Sequence, residues 1–144
     1  MNPKNLIATA QITVNAPVSK VWDALVNPDL IKKYMFGAAV SSNWTQGSKI
    51  TWKGMFNGKE YEDKGVLLEV LPEKRLVYSH FSALSGKPDI PENYHTVTIV
   101  LNSHGNQTQV KLEQDKNETE KSKAESEQNW GVMLNGLKNL LEGS

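Results

Sequence analysis

Cysteine is absent from the 144 residues, which excludes disulfides, thiol nucleophiles and cysteine-ligated zinc. Arginine is nearly absent: Arg75 alone stands among the 16 basic residues, so bidentate clamps on phosphate or carboxylate are scarce. An excess of either charge is missing as well. Sixteen Lys and Arg balance sixteen Asp and Glu, and no basic run exceeds Lys32-Lys33. Nothing therefore draws the chain to nucleic acid or to an anionic membrane. No apolar run approaches the ~18 residues of a membrane span. Met1-Asn2-Pro3-Lys4-Asn5 is followed by only a short apolar stretch, unlike a secretory signal. The Asn-x-Ser/Thr triplets at Asn43, Asn106 and Asn117 then carry no expectation of glycosylation. The expectation is a cytoplasmic protein, suited to a reducing compartment. The Gly-x-Ser-x-Gly elbow, the Gly-x-Gly-x-x-Gly turn and the phosphate loop are absent too.

What is present fits one domain over residues 1–144. Counting glycine, apolar residues make up about 42% of the chain, slightly under the usual 45–50%, so a thin core is expected. Leu6 to Val14 alternates loosely and reads as a strand. Ala16-Pro17 opens a helix whose Val18, Val21, Trp22 and Leu25 form an apolar stripe, and Asn27-Pro28 stops it. Leu30, Ile31 and Tyr34 fit a second short helix. From Phe36 to Asp115 the punctuation is that of hairpins, with turns at Asn57-Gly58, Pro72-Glu73-Lys74 and His104-Gly105-Asn106. Ser82 to Glu92 reads as a longer loop. Trp130, Met133, Leu134, Leu137, Leu140 and Leu141 then follow a 3.6 period, with Gly143 just beyond. That helix could start at a Ser122–Glu125 capping box, or earlier with Asn117 or Thr119 as the cap. The order β, α, α, about six β, long α is α+β, an antiparallel sheet packed on one face by a terminal helix.

This order resembles the START-like, or helix-grip, superfamily, and within it the homologues of the activator of the ninety-kilodalton heat-shock chaperone's ATPase. The residues that carry the resemblance run along the chain. They are Val14-Asn15-Ala16-Pro17, Val21-Trp22-Asp23-Ala24-Leu25, Pro28, Ile31, Gly65, Glu69-Val70, Pro72, Arg75-Leu76, Thr108, Trp130, Leu134 and Leu137. Tyr34 and His80 stand where many members carry Trp. The resemblance implies a curved sheet of about six or seven strands gripping the C-terminal helix, with an elongated cavity between them. Superfamily members bind apolar molecules there, and a few catalyse cyclisation or dehydration. The activator also has a separate N-terminal chaperone-binding domain, for which nothing before Leu6 is a counterpart.

Strand parity supplies candidate cavity residues. If Leu76 points inward, so do Tyr78 and His80; if Val97 does, so does His95. His80 and His95 could then meet at one end of the cavity and orient an otherwise apolar ligand, or remain ordinary strand-end residues. Trp52 and Trp130 could line the cavity or fill the core, and so could Met133, Leu134 and Leu137. Trp22 reads as an anchor for the first helix. Glu69 is the nearest inward carboxylate by family position, whereas Glu60, Glu62 and Asp63 read as an exposed, turn-rich stretch. The polar run Glu118–Asn129 reads as a solvated helix face or a partner-docking face. Two His make a poor metal site, so neither metal nor permanent cofactor is expected. The expected function is binding of a hydrophobic or amphipathic small molecule. Two alternatives stand beside it: an interaction module for a heat-shock chaperone, and a cyclase- or dehydratase-like enzyme using His80 and His95.

Overall fold

The computed structural model describes residues 6–35, 37–56, 58–82 and 86–143. The Met1–Asn5 start, Phe36, Asn57 of the expected turn and residues 83–85 of the expected loop lie outside them. The elements follow in the order β1 (Leu6–Val14), α1 (Val18–Val26), α2 (Pro28–Tyr34), β2 (Ala39–Ser42), β3 (Lys49–Phe56), β4 (Lys59–Leu71), β5 (Arg75–His80), β6 (His95–His104), β7 (Gln107–Asn117) and α3 (Glu120–Glu142). Asn27-Pro28 both ends α1 and starts α2. Pro28 occupies the first turn, and the Asn27 side chain accepts a hydrogen bond from the Asp29 N–H at 3.0 Å.

The strands form one antiparallel sheet in the order β1-β7-β6-β5-β4-β3-β2. Short turns join neighbours from β2 to β5 and from β6 to β7, while β1 crosses over to pair with β7. The helices pack on the inner face, where Val14, Ile50, Leu67, Leu76, Val97, Ile99, Val110 and Leu112 are buried against Val21, Ala24, Leu25, Ile31, Leu134 and Leu137. This is the helix-grip architecture. Among the described residues, no helix is long and apolar enough to cross a membrane.

Thr119, the later of the two earlier caps considered, starts α3. Its hydroxyl accepts from the Ser122 N–H at 3.0 Å and its own N–H donates to the Ser122 hydroxyl at 3.1 Å. Serine thus fills the place that Glu or Gln usually takes in this reciprocal box. Further along, α3 closes the free edge of β1. Glu127 accepts from the Thr9 N–H, Glu142 accepts from the Asn15 N–H, and Lys138 donates to the Thr13 carbonyl. Unpaired strand groups that would otherwise invite another strand are satisfied by side chains instead. Among the described residues, the buried polar side chains of Thr108 and Asn117 are also satisfied. Thr108 donates to the Ala16 carbonyl, and Asn117 donates to Leu6 and Gln114 while accepting from Ser126.

β4 is the longest strand, and it serves two partners. Its first part pairs with β3 along its whole length, and its second part pairs with β5 from Leu67↔Tyr78 onward. Lys64 and Phe81 form one further bridge. Gly65 lies between that bridge and the Leu67↔Tyr78 pair, so close to β5 that a methyl group there would overlap the Ser79 carbonyl oxygen. The Ser79 hydroxyl accepts from the Val66 N–H at 2.9 Å, which replaces a missing ladder bond. Beyond the bridge, Asp89 holds the β5–β6 connection to β4 through an ion pair with Lys64, and it accepts from the Tyr94 hydroxyl.

Two outcomes follow. Gly65→Ala should destabilise the fold by about 1–3 kcal/mol, since backbone rather than a flexible side chain must move; urea denaturation measures it, and an unchanged midpoint would contradict the close approach. Glu142 has its carboxyl held below the ordinary 4.5, first by the Asn15 N–H and then by Lys138. Its contribution is present above that ordinary value and lost as pH falls through the lower folded one. Glu142→Gln should therefore flatten the loss of stability on acidification below about 4.5, read by thermal melting across that range.

Candidate functional site

Alternation along β3 turns Ile50 and Trp52 inward. Alternation along β5 does the same for Leu76, Tyr78 and His80. On α3 the apolar stripe begins at Trp130, directly after Glu127-Gln128-Asn129, and continues with Met133. Trp52, Tyr78, His80, Trp130 and Met133, with Met35 and Ala38 from the stretch after α2, Tyr61 and Asp63 from β4, and Asn129, line a hollow of about 340 Å³. It lies between α3 and the β3–β4–β5 part of the sheet.

The walls are mainly aromatic. Trp52 leans on Tyr78 with ring centroids 5.3 Å apart, and meets the His80 ring edge-on at 5.0 Å and 77°. Trp130 is half-buried and its indole N–H donates to the Gln114 side chain at 2.6 Å. The polar feature is a pair: His80 donates from Nε2 to the Asp63 carboxylate at 3.0 Å, with side chains 26% and 15% exposed. Tyr61 lies against Gly54, its cross-strand partner, which has no side chain to obstruct the ring. Its phenol pKa is raised by burial and, to a smaller extent, by the Asp63 charge. Burial pushes the Tyr78 phenol far above its ordinary value. Neither phenol therefore ionises near neutral pH, and the hydrogen-bonded Asp63–His80 pair is the polar group placed here to orient a polar atom.

The structure distributes the nine candidate residues over three places. Trp52, Tyr78, His80, Trp130 and Met133 line the hollow. Val97, Leu134 and Leu137 are fully buried in the core beside it. His95 is the registered partner of His80, on the same sheet face. Its Nδ1–H donates to the Asp115 carbonyl at 2.8 Å, and it borders a separate depression with Gln114, Ser122 and Ser126. The two imidazoles stand side by side without sharing a site.

Asp63 corrects the sequence reading. The stretch containing Glu60, Glu62 and Asp63 is strand, not turn, because the tight connection after Phe56 lets pairing begin at Phe56↔Lys59 and run without interruption. That register sets Asp63 opposite Trp52, and cross-strand partners share a face. Counting outward from Asn57-Gly58 would have found it. Glu69 lies outside the hollow and is paired with Arg75 at 3.3 Å, next to a bulge in β4. Tyr61, Met35, Ala38 and Asn129 had no comparable signal in the sequence. The polar run before Trp130 is partly spoken for, since Ser126 and Glu127 bond to Asn117 and Thr9. Among the described residues, no group of three or more His, Asp or Glu side chains is placed to hold a metal ion.

Residues 15–142 match the model of the family described as activator of Hsp90 ATPase homolog 1-like protein. None of the curated proteins matches. Among solved structures, a Cytophaga hutchinsonii protein determined in solution is 55% identical, over 99% of this chain and 97% of that one, with a TM-score of 0.87. The Aha1 dimer from Colwellia psychrerythraea, also a solution structure, is 26% identical over 95% of this chain and 96% of its own, with a TM-score of 0.74. CalU16 from Micromonospora echinospora shares the fold at 20% identity, covering 99% of this chain and 86% of that one, with a TM-score of 0.71.

The division between wall and core has a measurable consequence. Leu134→Ala should cost about 2–5 kcal/mol, as for a fully buried leucine. Trp130→Ala should cost less than the ~3–5 kcal/mol of a buried tryptophan, because one side of the ring faces the hollow. Urea midpoints compare the two; a larger loss at Trp130 than at Leu134 would make the indole a core residue.

Proposed function

The chain belongs to the family of activator of Hsp90 ATPase homolog 1-like proteins, and on that premise we propose that it binds a small apolar or amphipathic molecule in the hollow between its sheet and C-terminal helix. The observation that carries this reading is the composition of the walls: aromatic rings and thioethers around about 340 Å³, with one hydrogen-bonded Asp63–His80 pair. Small-molecule sites are typically apolar hollows of about 300–1,000 Å³ with a few placed polar groups. Met35, Trp52, Tyr78 and Met133 also line a void of about 20 Å³ deeper in the core. The partition between the two is thus made partly of methionine, the side chain that adapts most easily to a new shape. The reading takes residues 1–144 as one binding domain working in the cytoplasm, without a permanent cofactor.

Family membership supports a second reading, in which the domain acts on a heat-shock chaperone as an ATPase-activating partner. The two separate experimentally. Protein purified gently and examined by native mass spectrometry should carry a small-molecule adduct. A library of lipids and aromatic compounds should also contain members that raise the melting temperature by mass action. Trp52→Ala should abolish such shifts, measured against the unliganded variant, whose own melting temperature falls because truncating a buried tryptophan costs about 3–5 kcal/mol. If no compound shifts melting and the chain instead stimulates a chaperone's ATP hydrolysis, the second reading replaces the first.

A further inference from the structure

His80 lines the hollow, and its two nitrogens are not equivalent. Nε2 is committed to Asp63, so the neutral ring carries its proton there and presents a lone pair at Nδ1. Among the described residues Nδ1 has no hydrogen-bond partner. The second fact is charge. Among the described residues, those around the hollow include one carboxylate, Asp63, and no Lys or Arg. An anionic ligand would meet the Asp63 carboxylate on the wall and be repelled by it. A ligand that donates a hydrogen bond would instead complete the one imidazole nitrogen left open.

From these two facts we propose that the Asp63–His80 pair determines ligand specificity, selecting uncharged ring compounds that carry a hydroxyl, phenolic or alcoholic, and rejecting carboxylates such as fatty acids. Asp63 positions the imidazole and fixes its tautomer; His80 Nδ1 accepts from the ligand hydroxyl; Trp52, Tyr78 and Trp130 hold the ring. This rests on the ligand-binding reading above and narrows it to a chemical class.

Three probes of one shape test it: 2-naphthol, 2-naphthoate and 2-methylnaphthalene, titrated by tryptophan fluorescence, since Trp52 and Trp130 border the site. The wild-type chain should bind 2-naphthol about tenfold or more tighter than 2-naphthoate. His80→Phe keeps a ring but removes the acceptor, so 2-naphthol should lose about tenfold while 2-methylnaphthalene binds as before, which also shows that the variant folds. Asp63→Asn removes the charge at nearly constant shape and should improve 2-naphthoate relative to 2-naphthol. Equal binding of 2-naphthol and 2-naphthoate to the wild type would overturn the proposal, as would 2-naphthol affinity indifferent to His80→Phe. In either case 2-methylnaphthalene binding would leave the broader reading standing. Failure of all three probes to bind would remove both.

Discussion

One sheet face must be kept from water by too little helix. Seven strands present a wide apolar inner surface, and one long helix with two short ones must cover it. Only the second half of α3 is apolar on its inward side; the stripe starts at Trp130, and what precedes it is polar and bonded to the β1–β7 edge. The hollow lies where the stripe begins, between Trp130 and Met133 on α3 and the inner side of β3, β4 and β5, which α3 does not approach closely.

The same constraint accounts for the chemistry at the site. A strand segment left without a helix above it can hold polar residues on its inner face, because they meet each other or an entering molecule rather than packed hydrocarbon. Asp63 and His80 occupy such positions, and they satisfy one another. Moving along β5 toward the covered part of the sheet, the inward residues become Tyr78 and then Leu76, both buried. On β6 the order is the same, from His95 to Val97 and Ile99. Polarity therefore falls along the strands as helix cover increases.

Much of this was legible in the chain. The turn residues located the hairpins, Asn27-Pro28 separated the two short helices, and the stripe from Trp130 to Leu141 located α3. Parity gave the inward set on β5 and β6. What parity could not give was depth. Val97 and His95 share a face, yet one is sealed in the core and the other sits by a surface depression, a difference decided by where the helix crosses. Asp63 was missed for another reason. A run of Glu, Tyr, Glu, Asp and Lys has no apolar alternation, so its strand character comes from register with Trp52 and its neighbours rather than from its own composition. The thin apolar share of the chain is consistent both with a wet outer sheet face and with an incompletely filled inner one.

The crossover of β1 has a consequence for how the chain is made. β1 pairs only with β7, so Ala8 finds its place beside Gln114, and α3 then seals the outer edge of β1 through Glu127, Lys138 and Glu142. During synthesis the first strand is exposed long before its partner exists. The hairpins β3–β4–β5 and β6–β7 can form locally as they emerge, but β1 must wait for β7. Such distant pairing slows folding. A nascent chain interrupted before β7 would carry β1 as an unpaired strand and a hazard for aggregation.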